Sequence, residues 1–190
     1  GLDGYVPTDS DISLHESSPT GDEIATAIAG ANFEMMGWCD SCIAQLTPFR
    51  GPSADSGTVG EVHFMYGLGK PVFGYSNDSR DYEKRVAEDY YDGSIIYGHD
   101  ELFGRSTLRS WDGLLIENFG QRDNLMIPYA ISDSGGTFHV CDAPENRRYS
   151  DLTAFRAAAH AVAVYFYGPE HVAQLQAHAH QNRKDGSPAP

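Results

Sequence analysis

The sequence lacks any long hydrophobic run and is poor in positive charge. No stretch approaches the roughly 18 apolar residues of a membrane-spanning helix, and no secretory signal is evident in it. Its 13 lysines and arginines stand against 27 aspartates and glutamates, which gives a net charge of −14. DNA, RNA and anionic membranes are bound mainly through basic side chains, so we expect neither a nucleic acid polymer nor a membrane as partner.

Cysteine is also scarce, and the three cysteines form no disulfide framework. Cys39 and Cys42 have the spacing of a zinc or redox pair, but no second such pair exists, and the two residues join a predicted helix end to a strand start. His99, Asp100 and Glu101 are adjacent and cannot all turn to one ion. We therefore expect buried thiols, no metal and no cofactor, in a reduced, cytoplasmic protein.

The length, composition and hydrophobic patterning of the chain suit one globular α/β domain. A chain of 190 residues with 41% hydrophobic residues is long enough to bury a core. Short apolar runs alternate with amphipathic segments, which predicts a doubly wound, flavodoxin- or Rossmann-like parallel sheet flanked by helices. We assign this domain to residues 1–168, and a short helix with a flexible tail to 169–190. The opening reads like the end of a helix–strand connection, so we expect that a strand–helix unit belongs before it.

The individual elements follow from periodicity and capping residues. Strands are predicted at 42–47, 71–75 and 135–141, and helices at 22–36, 58–66, 81–91 and 150–167. In the last helix, the predicted buried stripe consists of Leu152, Phe155, Ala159, Val162 and Phe166. Segments 8–20 and 94–112 show no regular period, and we predict loops there that close over a site.

Two acids fall where such a fold places its working crevice, outside the carboxyl ends of the strands. Asp55 lies in the loop after the first strand, and Glu61 lies six residues on, in the predicted first turn of the next helix. The helix dipole favours an ionised carboxylate there by up to about 1 kcal/mol. Such a carboxylate can act as a nucleophile at a sugar's anomeric carbon, although the same positions also suit a dipole partner and a turn residue.

The residue types in several motifs are more informative about function than the spacing of the two acids. Leu46–Glu61 reads LTPFRGPSADSGTVGE and is followed by GKPVF at Gly69–Phe73. Asn32 lies upstream, and Phe119–Met126 reads FGQRDNLM. Together these motifs resemble the signature of the nucleoside 2-deoxyribosyltransferases.

The resemblance implies transfer of a 2-deoxyribosyl group from a 2′-deoxyribonucleoside to a free purine or pyrimidine base, as in nucleotide salvage. Glu61 would be the nucleophile that forms a covalent glycosyl-enzyme, and Asp55 would hold the base and exchange its proton. The implied substrate-binding residues are Asn32, Phe49, Arg50, Gly57, Asn124 and Met126. A homo-oligomer, from dimer to hexamer, is also implied, because in relatives the Asn-Leu-Met element reaches a neighbouring subunit's site.

Two other functions remain open at this stage. A nucleoside or nucleotide N-glycosidase of the same superfamily would use the same glutamate and let water complete the reaction, and a non-catalytic nucleoside-binding module would leave the crevice idle. The sequence also departs from the family pattern. The glycine-rich first strand is not found, and Gly60 and residues 63–65 differ from the usual types, which leaves the base preference open.

Overall fold

Two β-sheets, one parallel and one antiparallel, organise this chain. The computed structural model describes residues 2–9, 20–101 and 104–184, so most of the loop predicted at 8–20 lies outside the described residues. The helices are α1 (Gly21–Trp38), α2 (Ser56–Gly67), α3 (Tyr82–Arg85), α4 (Met126–Asp133), α5 (Thr153–Tyr167) and α6 (Pro169–Lys184). The strands are β1 (Cys42–Gln45), β2 (Val72–Ser76), β3 (Ile95–Asp100), β4 (Arg105–Ser110), β5 (Leu115–Ile116) and β6 (Phe138–Val140).

The parallel sheet has the order β1–β2–β6 and carries helices on both faces, which confirms the doubly wound α/β fold. Successive residues of the central strand β2 serve opposite faces. Val72 packs with α2 and α4, whereas Phe73 packs against Ala158 and Val162 of α5. The edge of β1 away from β2 pairs with no strand in the described part of the chain.

The antiparallel sheet β3–β4–β5 occupies the region predicted as a loop at 94–112, and that prediction is wrong. β3 and β4 pair continuously from Ile95 opposite Ser110 to Asp100 opposite Arg105. Most of β3 is exposed, including Ile96 and Tyr97. Main-chain hydrogen bonds therefore hold these strands with little burial, and such strands leave no clear hydrophobic period in the sequence.

The predicted buried stripe of α5 is correct at Val162 and wrong at Leu152, Phe155 and Phe166. Ala154, Ala158 and Val162 are buried, while Phe155 and Phe166 remain exposed. The sheet supplies the aromatic rings at this interface, so the helix approaches it with small side chains. Phe155 instead lies edge-on to the ring of Tyr75, with centroids 5.6 Å apart.

Both ends of α1 are stabilised by side chains. Thr20 and Glu23 form a capping box at its start, as the sequence suggests. No basic residue lies in its last turn, and Lys70 from the α2–β2 connection fills this role. Its Nζ donates to the carbonyl oxygens of Met36 at 3.0 Å and Gly37 at 2.6 Å, which satisfies carbonyls that the helix leaves free.

A buried ion pair joins the loops above the parallel sheet. The side chains of Arg85 and Asp123 are 1% and 0% exposed, and their nearest charged atoms lie 3.5 Å apart. Arg85 also donates to the carbonyl oxygen of Pro52 at 2.8 Å. Asp123 accepts from the hydroxyl of Ser53 and from the main-chain N–H of Ala54 at 3.0 Å. The pair therefore fixes the loop between β1 and α2 against the segment that precedes α4.

Replacing Arg85 with Met should lower the free energy of unfolding by about 3 kcal/mol or more, because the Asp123 carboxylate then stays buried without its cation. Urea unfolding measures the change. Arg109→Met is the matched control, since Arg109 is exposed and, among the described residues, donates only to the carbonyl oxygen of Gly113. A loss for Arg85→Met no larger than that of the control would contradict the structural role assigned to the pair.

Candidate active site

Asp55 caps the helix that carries the second acid. α2 begins at Ser56, two residues before the predicted start at Thr58. One carboxylate oxygen of Asp55, Oδ2, accepts from the N–H of Gly57 at 3.0 Å and from that of Thr58 at 3.3 Å. A Cβ at Gly57 would lie 3.0 Å from this oxygen, so glycine leaves room for the cap. Oδ1 of Asp55 accepts no hydrogen bond from the described residues and remains available to a ligand.

Glu61 lies in the second turn of α2, so its predicted place in the first turn is wrong. The free N–H groups there are used by Asp55 instead. Glu61 is half-buried beside the fully buried Val62. Burial raises the pKa of Glu61, and the negative charge of Asp55 raises it further. The two carboxyl groups are therefore close enough to interact, which is typical of an acid–base pair at a reactive site.

Phe49 and Arg50 form the tip of the loop before Asp55. The N–H of Phe49 donates to the carbonyl oxygen of Ser53 at 3.0 Å and closes the turn. Arg50 has φ 56°, in the left-handed region that non-glycine residues rarely adopt. Its guanidinium carbon lies 4.7 Å from the centroid of the Phe49 ring, a cation–π contact.

Asn124 follows Asp123, whose carboxylate binds Ser53 and Ala54 in the loop before Asp55. Its side-chain amide donates to Oε1 of Glu117 at 2.8 Å, and its Oδ1 accepts from the N–H of Met126 at 3.2 Å. Asn124 thus helps to start α4. Met126 is the first residue of that helix and is exposed.

Asn32 lies on α1, and its side chain forms no hydrogen bond with any described residue. Its neighbour Phe33 packs edge-on against Phe64, with ring centroids 4.8 Å apart. Phe64 follows Glu61 by one turn of α2. α1 therefore runs beside the helix of the nucleophile candidate, with Asn32 free for a ligand.

Sequence reasoning missed four residues that shape this site. Arg85 and Glu117 gave no signal, because a single charged residue within a mixed segment normally lies in solvent. Asp123 lies within the FGQRDNLM motif, but nothing in the motif indicates that its carboxylate is buried. Tyr149 lies far along the chain, yet its hydroxyl donates to the carbonyl oxygen of Pro48 at 2.6 Å.

A charged cleft of about 360 Å³ lies at the carboxyl ends of β2 and β6. Burial alone would raise the pKa of Asp78 in this cleft, but hydrogen bonds and charge from Arg80, with the charge of Arg148, lower it to about 2. A second cleft, of about 450 Å³, lies where α5 meets α6. Neither includes Asp55 or Glu61, and most charged groups of the first are paired with one another.

Other site types were also considered. Among the described residues, no group of three or more His, Cys, Asp or Glu side chains is placed to hold a metal ion. Cys39 and Cys42 are free thiols. Burial raises the pKa of Cys39 and raises that of Cys42 to about 12, which disfavours reactive thiolates. None of the helices in the described ranges is long and apolar enough to cross a bilayer.

The segment that contains both acids is similar in sequence to known proteins. The sequence model of the family described as nucleoside 2-deoxyribosyltransferase matches residues 1–126, which include the loop, α2 and the segment up to Met126. The chain belongs to the nucleoside 2-deoxyribosyltransferase family. The resemblance inferred from the motifs is therefore confirmed.

Two relatives of this family member can be described. An uncharacterized protein of Schizosaccharomyces pombe is 32% identical over 161 residues, which cover 83% of this chain and 72% of that protein. Among solved structures, a 2-desoxiribosyltransferase from Leishmania mexicana is 30% identical with a TM-score of 0.47, and the match covers 78% of this chain and 71% of that one.

Replacing Glu61 with Gln should raise the free energy of unfolding at neutral pH. The native pKa of Glu61 is raised, so the ionised side chain destabilises the fold above that pKa, and the cost disappears at low pH where native and unfolded chains are both protonated. Urea unfolding between about pH 3 and about pH 7 measures this difference. Glu34→Gln, on the exposed side of α1, is the control. The raised pKa of Glu61 would be contradicted if Glu61→Gln did not increase the free energy of unfolding at neutral pH, or if the increase became larger on acidification.

Proposed function

We propose that the protein transfers a 2-deoxyribosyl group between nucleobases, with Glu61 as nucleophile and Asp55 as the proton donor and acceptor. The observation that carries this proposal is the placement of both acids on one helix, Asp55 as the cap of α2 and Glu61 in its second turn, inside the segment that the family model matches. Family membership supports a transferase- or glycosylase-type enzyme acting on nucleosides. The roles of the individual residues are our inference.

In the first half-reaction, a carboxylate oxygen of Glu61 bonds to C1′ of the sugar while the N-glycosidic bond breaks. The electron pair of that bond goes to the base, and Asp55 supplies the proton. Its Oδ2 is held by two main-chain N–H groups, which leaves Oδ1 to face the base. Protonation of the leaving group typically contributes about 10²- to 10⁴-fold to such a step.

In the second half-reaction, a nitrogen of the incoming base bonds to C1′ and the ester bond to Glu61 breaks, returning its electron pair to the carboxylate. The proton of the incoming nitrogen passes to Asp55. Two displacements at one carbon retain the configuration and give ping-pong kinetics. Burial and the neighbouring acid raise the pKa of Glu61, so its ionised carboxylate is a more reactive nucleophile than one held by a helix N-terminus.

One observation also favours the hydrolytic alternative. Glu61 lies outside both clefts described above and is only half-buried, so water has access to the glycosyl-enzyme in the single chain. Hydrolysis would use the same ester and replace the incoming base with water. Closure of the site by a neighbouring subunit would favour transfer. The exposed Leu125 and Met126 at the start of α4 support our proposal of a homo-oligomer.

Incubation with deoxyinosine and free adenine tests this function directly. We expect deoxyadenosine and hypoxanthine to form in equal amounts, as chromatography of the mixture would show. Free deoxyribose without deoxyadenosine would establish an N-glycosidase instead. Unchanged substrates would contradict catalysis and leave the nucleoside-binding module.

Replacing Glu61 with Ala should reduce turnover by more than about 10³-fold, because no other group takes the sugar. Steady-state rates measure the loss, with Glu34→Gln as the control that keeps activity. A slow 2-fluoro-2-deoxy nucleoside should label the peptide that contains Glu61, as mass spectrometry would detect. Label on another residue, or full activity of the Glu61→Ala variant, would remove Glu61 from this role.

A further inference from the structure

Glu117 joins the antiparallel sheet to the start of α4. It directly follows β5 in the chain. Its Oε1 accepts from the side-chain amide of Asn124 at 2.8 Å, and its Oε2 accepts from the main-chain N–H of Leu125 at 2.9 Å. Both carboxylate oxygens thus take donors from one short segment, so the side chain of Asn124 and the main chain after it are held together.

The antiparallel sheet in turn fixes Glu117 from both sides. Ile116, directly before it, is only 4% exposed. Asn118, directly after it, donates from its side-chain amide to the carbonyl oxygen of Ser106 at 3.1 Å, and its own carbonyl oxygen accepts from Arg105 at 3.4 Å. Because its neighbours are anchored to β4, the carboxylate is placed in advance and loses little freedom when it orders another group.

Asn124 lies at the end of the molecule that carries the two acids. Just before α2, the N–H of Ala54 donates to the carboxylate of Asp123 at 3.0 Å. Near the end of α2, the hydroxyl of Tyr66 donates to Asp133, the last residue of α4, at 2.6 Å. The two helices therefore run side by side in the same direction. Asn124, which directly follows Asp123, lies level with the start of α2.

The hydrogen bonds of Asn124 leave one donor for a ligand. A side-chain amide has two N–H donors and one oxygen acceptor. One N–H goes to Glu117, and the oxygen accepts from the N–H of Met126 at 3.2 Å. Because a carboxylate only accepts, Glu117 also fixes which end of the amide faces it. The second N–H has no partner among the described residues and keeps one direction, in which it can donate to a sugar hydroxyl.

We infer that Glu117 is a positioning residue for the proposed reaction and acts on the sugar of the substrate through Asn124. The inference rests on the proposed function and adds a residue that the substrate does not touch. Asn124 is one of the substrate-binding residues that the family resemblance implies. Glu117 directs its free N–H before the substrate arrives, and this preorganisation strengthens the contact. The antiparallel sheet thereby gains a function, because it carries Glu117 to α4.

A purely structural role for Glu117 makes a different prediction. The N–H of Leu125 lies at the start of α4, and a carboxylate near a helix N-terminus stabilises the helix. Such a role lowers activity only through the amount of folded protein, and it does not depend on the side chain of Asn124. The two roles therefore differ in whether Glu117 and Asn124 act together.

A double-mutant cycle on kcat/KM for transfer from deoxyinosine to adenine separates them. Glu117→Gln keeps the size of the side chain but turns an NH₂ group toward one of the two donors. It should lower kcat/KM by about tenfold, because the Asn124 amide is no longer held. In the Asn124→Ala background the same change should cost less than about twofold, since the group that Glu117 positions is gone. Urea unfolding of all these proteins measures stability separately.

Asp133→Asn is the matched control, because it alters an exposed acid at the other end of α4 and should leave kcat/KM unchanged. Should Glu117→Gln not fold, Glu117→Asp runs through the same cycle. An equal loss of kcat/KM in both backgrounds, or no loss in either, would overturn the inference.

The same cycle on deoxyinosine binding, measured by calorimetry in the Glu61→Gln chain, is independent of catalysis. Coupling between Glu117 and Asn124 in binding, without turnover in the unaltered chain, would remove only the proposed reaction. Turnover without coupling would remove only the inference. Neither binding nor turnover would remove both.

Discussion

The buried pair of Arg85 and Asp123 is the interaction on which the candidate site depends. Neither group could stay in the interior without the other, because an unpaired buried charge costs several kcal/mol. Together they hold Pro52, Ser53 and Ala54, the residues directly before the cap of α2. The same carboxylate accepts from the N–H of Asn124 at 2.8 Å. This pair thus positions both the loop before α2 and the segment before α4, which carry the candidate site residues.

Within the crevice, the ionised form of Glu61 lowers the stability of the fold but is the form that can react. Asp55 is satisfied by main-chain N–H groups at the helix start, whereas Glu61, a turn and a half further on, is half-buried beside that negative charge. The fold therefore holds an ionised Glu61 at a cost, and such a cost is typical of functional carboxylates. A strongly acidic chain is suited to a neutral ligand rather than to a polyanion.

Different parts of the structure were predictable to different degrees. β1, α2 and β2 follow from apolar runs and from the Asp55 and Gly67–Gly69 boundaries, because local signals mark both ends. The antiparallel sheet was missed because main-chain pairing holds strands that bury little. The phase of α5 was predicted correctly only at Val162, because the small residues Ala154 and Ala158 are buried against the sheet while Phe155 stays exposed.

By itself, the sequence determined the family and the α/β class, and it singled out the two candidate acids, because these are carried by contiguous motifs whose order and spacing survive without coordinates. Only the tertiary structure decided which acid caps the helix, that Arg85 pairs with Asp123, and that Tyr149 reaches Pro48. Those contacts join residues distant in the chain, and their energies depend on burial and distance. No local sequence pattern encodes burial or distance, so these contacts exist only once folding has brought the loops together.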